Sequence, residues 1–226
     1  MFPLKGVRGS VMAKRFWSKA LPQKGSGEGA NTFTHLIGVI FALSSIWLIW
    51  LAADVSWQMA FGVICFLFGM FFMFLSSTVY HWVREGKLKR ALRKCDHISI
   101  YIMIASSYTP ILIGVVGGWL GWTVFAIQWA LVIAGVFYKI FAIDRWPRLS
   151  LAIYLIMGWS IILIAEPVIK LLTPVTLWLL LAEGIAYTAG TYFFAHDDRP
   201  HFHAIWHVFV LLGALAHWGA VLSLLL

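Results

Sequence analysis

Apolar residues run along the chain in seven long blocks, approximately 32–53, 58–82, 97–116, 119–141, 149–169, 174–195 and 203–226, separated by short polar or basic stretches. Each block meets the roughly 20 residues that an α-helix needs to cross a bilayer. No stretch alternates at period two and none repeats at a solenoid period, which argues against a β-barrel or a repeat array. The pattern predicts an all-α polytopic membrane protein, a seven-transmembrane helix bundle over 32–226 preceded by a basic segment and hinge over 1–31. An odd number of spans puts the two termini on opposite sides.

Composition agrees: 62% of the 226 residues are hydrophobic and 12% charged, with a mean hydropathy of +0.87, which excludes a soluble domain of this length. The first apolar run starts near Thr32 and is long enough to span, so no cleaved signal peptide is expected. Cys65 and Cys95, one in an apolar run and one beside a basic loop, do not make a disulfide framework.

Charge gives the sidedness. Of the 17 Lys and Arg residues, six precede the first span, six lie between Arg84 and Lys94, Lys139, Arg145 and Arg148 flank the fourth connection, Arg199 follows the sixth span, and only Lys170 falls on the other side. The positive-inside rule then places the N-terminus in the cytoplasm and the C-terminus outside. The net charge of +8 fits loops that anchor on anionic headgroups, and nucleic acid is not an expected partner. Gln23 to Asn31, "QKGSGEGAN", reads as a glycine-rich hinge after a basic amphipathic lead.

Candidate chemistry sits at one end of the bundle. Span parity puts His35, His81, Asp96, His97, His196, His201, His203 and His207 on a shared face, and none of the eight histidines falls at an outer span end. His203 and His207, in "PHFHAIWHVFVLLGALAHW", are four apart, on one helix face with about 6 Å of rise between them, a chelating spacing. In a soluble helix such a pair is more often structural; inside a membrane a polar side chain is costly and normally faces a partner or a water-filled cavity. His81 closes the second span in "LSSTVYH", with Ser77 one turn earlier on the same face. Three neutral imidazoles and an open fourth position are the arrangement of catalytic zinc, whereas a structural site closes its fourth position with protein. Asp96 opens the third span and reads either as a proton acceptor beside such a metal or as a helix N-cap. His217, about 15 Å beyond His207, reads as a hydrogen-bond partner within the bundle. His196 and His201 belong to the "DDRP" loop, and His97 points away from Asp96. Glu183, in mid-span, reads as a carboxyl hydrogen-bonded to a neighbouring helix. Cys95 reads as a surface thiol rather than a soft ligand.

The motifs "EGANTFTH" (28–35), "SSTVYH" (76–81), "DHISIYIMIASSYTP" (96–110) and "HAIWHVFVLLGALAHW" (203–218) together resemble the hemolysin III proteins, the bacterial branch of the progestin and adipoQ receptor family. The resemblance covers nearly all of the chain after residue 27. It implies a Zn²⁺ site on His81, His203 and His207, with Ser77 and Asp96 as the accompanying serine and aspartate; His35 and Glu28 belong to the same pattern. For receptor members it implies hydrolysis of the amide of a ceramide. For bacterial members it implies a role in membrane lipid homeostasis and a place in the cell inner membrane.

Three functions follow as expectations. The first is a zinc-dependent hydrolase of amide-linked membrane lipids. The second is a non-catalytic lipid or fluidity sensor whose zinc pins spans together. The third, suggested by the family's name, is a pore-forming cytolysin, which suits an N-in polytopic chain poorly. Membrane lipids are the expected partners, and monomer and homo-oligomer both fit the sequence.

Overall fold

The computed structural model describes residues 27–143 and 145–226; the basic lead over 1–26 lies outside the described residues. The described chain is helical throughout: α1 (Glu28–Ser44), α2 (Leu48–Val55), α3 (Trp57–Trp82), α4 (Lys87–Thr109), α5 (Gly118–Ala142), α6 (Pro147–Trp159), α7 (Ala165–Leu171), α8 (Pro174–Ala195) and α9 (Phe202–Leu225). Wide π turns over Pro110–Val116 prolong α4, and 3₁₀ turns over Ser160–Ile164 join α6 to α7. Among the described residues, five helical segments are long and apolar enough to cross a membrane, and a sixth if α1 and α2 count as one bent span. The predicted run 174–195 is a 22-residue helix that falls short on apolarity, because Glu183 and several Gly, Thr and Tyr residues dilute it. The chain is an integral membrane protein of helical type. Its first helix begins at Glu28, inside the glycine-rich stretch read as a hinge, with a polar first turn that hydrophobic periodicity cannot register.

Each break in the spans has a local cause. α1 and α2 meet at 46°, where Ser44 Oγ and Ser45 Oγ both donate to the Phe41 carbonyl at 2.8 Å; such back-bonding by consecutive serines bends helices. Pro110 lacks the N–H that would continue the α4 ladder, and the helix widens after it. At the α6 break the freed backbone groups are met from other spans. Tyr108 Oη donates to Gly158 O at 2.6 Å and accepts from Ile161 N–H at 2.9 Å, while Gln128 Nε2 donates to Met157 O and Ser160 Oγ. Irregular backbone is tolerated at membrane depth on that condition.

Glycine lets the helices approach closely. A Cβ on Gly62 would stand 2.6 Å from Pro110 Cα, so α3 and α4 touch backbone to backbone there; Gly38 similarly lies under the Phe74 ring. Phe66, Met70, Phe74, Val210 and Ala214 form the dry centre of α1, α3 and α9. Large apolar side chains such as Trp119, Phe141 and Leu163 face outward, as lipid-facing positions should. Deeper in the bundle, His217 Nδ1 and Glu183 Oε2 pair at 2.7 Å, linking α8 to α9 as the sequence suggested for both residues.

Candidate metal centre

His81 and Ser77 lie one turn apart in the last turns of α3, and His203 and His207 lie one turn apart in the first turns of α9. The loop before α9 turns through His201, whose φ of 65° is the only positive value on a residue other than glycine among the described residues. This aims the first turn of α9 at the end of α3. Ring centroids of His81, His203 and His207 stand 5.1, 4.9 and 4.8 Å apart, and one ring nitrogen from each lies within 4.8 Å of those of the other two. These three residues could hold one metal ion. The three histidines therefore come together although the chain separates His81 widely from the other two.

The orientation of each imidazole is set by what its Nδ1 touches. His81 Nδ1 stands 2.6 Å from Glu28 Oε2, and the other oxygen of that carboxylate accepts from Lys89 Nζ at 2.8 Å. His207 Nδ1 stands 3.2 Å from the Asn31 main-chain carbonyl and 3.4 Å from Thr34 Oγ1. His203 Nδ1 faces Asp197 Oδ2 at 3.5 Å. Carboxylates and carbonyls only accept, so in neutral rings the proton sits on Nδ1 and the lone pair on Nε2. His81 Nε2 is buried and has no hydrogen-bond partner among the described residues. A buried lone pair left unmet costs about 1–3 kcal/mol, and a cation at Nε2 would offset that cost. Carboxylate or carbonyl on one ring nitrogen and metal on the other is the usual surrounding of a metal-ligating histidine.

Helix α1 contributes none of the three imidazoles and still shapes the centre. Glu28, Asn31 and His35 share one of its faces, and that face lies across His81 and His207. His35 is buried, stacks on the His207 ring at 3.7 Å between centroids, and has no hydrogen bond to either ring nitrogen among the described residues. It is an interhelical partner of a ligand candidate rather than a fourth member of the cluster. Replacing Glu28 by Gln keeps the shape and removes the charge that anchors His81. The expected result is a roughly 10–100-fold loss of metal affinity, read by competition against a chromophoric chelator.

The Asp96 carboxyl is half-buried and faces His81, His203 and the Ser77 hydroxyl. Ser77 Oγ is buried and is not spent on any other group among the described residues. His81, His207 and Ser77 thus close the inner wall of the site, while His203 and Asp96 stand at its open side. Cys95 lies outside the cluster. His196 is half-buried and its Nδ1 contacts the Tyr192 carbonyl, in keeping with a residue at the end of α8. Sequence reasoning missed Lys89, which it counted with the basic loop, and Asn31, whose main-chain carbonyl faces His207 and whose side-chain Nδ2 stands 3.4 Å from His81 Nδ1.

Comparison with known proteins finds relatives along most of the chain. The family profile described as Haemolysin-III related matches residues 25–218. A hemolysin-3 homolog of Bacillus subtilis (strain 168) is 40% identical over 199 residues, covering 86% of this chain and 92% of that protein. Hemolysin-3 of Bacillus cereus is 39% identical over 197 residues, covering 86% and 90%. Human monocyte to macrophage differentiation factor is 28% identical over 226 residues, covering 92% and 91%. The matched span takes in the polar start of α1, the α3 to α4 junction and α9, which are the parts that build the histidine cluster, and the chain belongs to the haemolysin-III related family.

Proposed function

We propose that the protein is a zinc-dependent hydrolase of amide-linked membrane lipids, ceramide-like in class, with its N-terminus in the cytoplasm and a role in lipid homeostasis. The observation that carries the reading is the state of the three imidazoles: Nδ1 of His81 and of His207 meets an acceptor, that of His203 faces the Asp197 carboxylate at 3.5 Å, and His81 Nε2 is buried without a partner among the described residues. A site of three neutral imidazoles suits a metal that keeps one position for chemistry. Zinc bound there would supply Lewis acidity toward the amide carbonyl and make water a stronger nucleophile.

The rest falls to the chain's own residues. His81, His203 and His207 hold the ion, and Glu28 and the Asn31 carbonyl fix two of those rings. Asp96 accepts the proton of the water that adds to the amide carbon, and returns it to the nitrogen as the C–N bond breaks, releasing a fatty acid and an amine. Ser77 shares the Asp96 carboxyl with the water whose proton that carboxyl takes, so its hydroxyl orients water or carbonyl and does not attack. The open side at His203 and Asp96 is where an acyl amide would enter.

Two measurements test the reading. Protein purified in detergent without chelator should carry close to one zinc per chain, and it should release fatty acid from a ceramide-like lipid in mixed micelles. A preparation that never binds metal overturns both the hydrolase and the metal-pinned sensor. Zinc bound with no release from any amide lipid leaves the sensor.

A further inference from the structure

A second polar cluster adjoins the metal centre from the opposite side of α4. Lys139, counted in sequence among the basic residues of a connection, is 1% exposed within α5. Its Nζ donates to Ser150 Oγ at 2.7 Å, stands 3.4 Å from His97 Nδ1, and lies 5.4 and 5.6 Å from the ring centroids of Tyr138 and Tyr154. An ammonium only donates, so His97 Nδ1 is the acceptor. The main chain at the same point is held as well: Tyr154 Oη donates to the His97 carbonyl at 2.9 Å, and Ser99 Oγ to the Asp96 carbonyl at 2.6 Å. His97 therefore points away from Asp96, as the sequence suggested, and into a buried anchor made by α5 and α6.

Asp96 and His97 are consecutive, about 100° apart around one helix. The first faces the histidine cluster and the second faces Lys139 and Tyr154. Whatever fixes His97 fixes the rotational setting of α4, and with it the placement of the Asp96 carboxyl. A side-chain tip stands roughly 5 Å from a helix axis, so a rotation of about 15° would carry the carboxyl more than 1 Å. Catalytic constellations tolerate about 0.5 Å. A buried ammonium inside a membrane span is costly, and such residues mark function by default.

We propose that Lys139, acting through His97, is a positioning residue that sets Asp96 against the metal centre, so that α5 and α6 serve the site without contributing a group to it. This rests on the metal reading above. The test uses the full chain loaded with cobalt(II), whose visible absorption reports coordination and surroundings where zinc is silent. The pH midpoint of that absorption is measured for the unsubstituted protein, Lys139→Met, Asp96→Asn and the double variant. Tyr154→Phe is run in parallel as a milder change that keeps the ring and removes the hydroxyl bonded to the His97 carbonyl.

Lys139→Met should move the midpoint by about half a pH unit or more when Asp96 is present, and by nothing measurable in the Asp96→Asn background, as expected of a residue that acts through another. Tyr154→Phe should shift it in the same direction by less. Equal shifts in both backgrounds, or none in either, overturn the proposal while leaving the metal site intact. If Lys139→Met does not fold, Tyr154→Phe with and without Asp96→Asn decides by the same criterion. Absence of cobalt absorption in the unsubstituted protein overturns the metal reading and the proposal with it.

Discussion

Replacing His207 by alanine should empty the metal centre. The substitution removes one of three imidazoles and leaves two, on different helices, to hold the ion. Affinity should fall by more than the roughly 10–100-fold that losing an outer partner costs, taking zinc content in dialysed protein from near one per chain toward none. The variant also strips the ring on which His35 stacks and the anchor that Asn31 offers through its carbonyl, so its fold is to be checked by circular dichroism. His217→Ala is the matched control. It removes an equally buried imidazole about 15 Å further along the same helix, and its zinc content should stay at the unsubstituted level. Equal losses in both variants would mean that α9 is merely destabilised and that His207 holds no metal.

Asp96→Asn should separate binding from chemistry. The amide keeps the size of the carboxyl and cannot take up the proton, so zinc should remain near one per chain. Fatty acid release from a ceramide-like lipid should fall by about 10²–10⁴-fold, the usual worth of a positioned general base. An unchanged rate with zinc retained would remove Asp96 from the mechanism; the helix N-cap that its position in sequence also allowed is already excluded, because α4 starts at Lys87 and Asp96 lies inside it. Loss of zinc along with activity would instead make Asp96 a structural support of the site.

The two variants fall at residues that could be chosen from the sequence, and the reason is physical. Polar groups inside a membrane are few and expensive, so the i, i+4 histidine pair stands out from its apolar run. Parity of the spans then leaves His81, Ser77 and Asp96 as companions on the same face. The helices themselves are legible for the same reason, with ends at 57–82, 118–142 and 202–225 close to the expected runs.

What stayed hidden was carried by groups that composition cannot distinguish. Lys89 and Lys139 look like the other basic residues that flank spans, yet both are buried and hold site residues or their neighbours. The start of α1 looks like a loop because its buried face is polar: Glu28 and Asn31 earn their helical setting from contacts with His81 and His207, which only the folded bundle supplies. Lys139, for its part, is a bundle residue rather than a headgroup anchor, so the charge count behind the predicted sidedness rests on the exposed loops.

The link between Lys89 and Glu28 has a consequence for how the protein is made. Asn31 and His207 are 176 residues apart, so a ribosome delivers the carboxylate, the lysine and the first histidine long before the last helix enters the bilayer. During that interval Glu28 would be an uncompensated negative charge beside nascent hydrocarbon. Lys89, 2.8 Å away, balances it once the first turn of α4 has joined α1 and α3. The Glu28 charge is then met by a partner that the chain supplies before α9 is made.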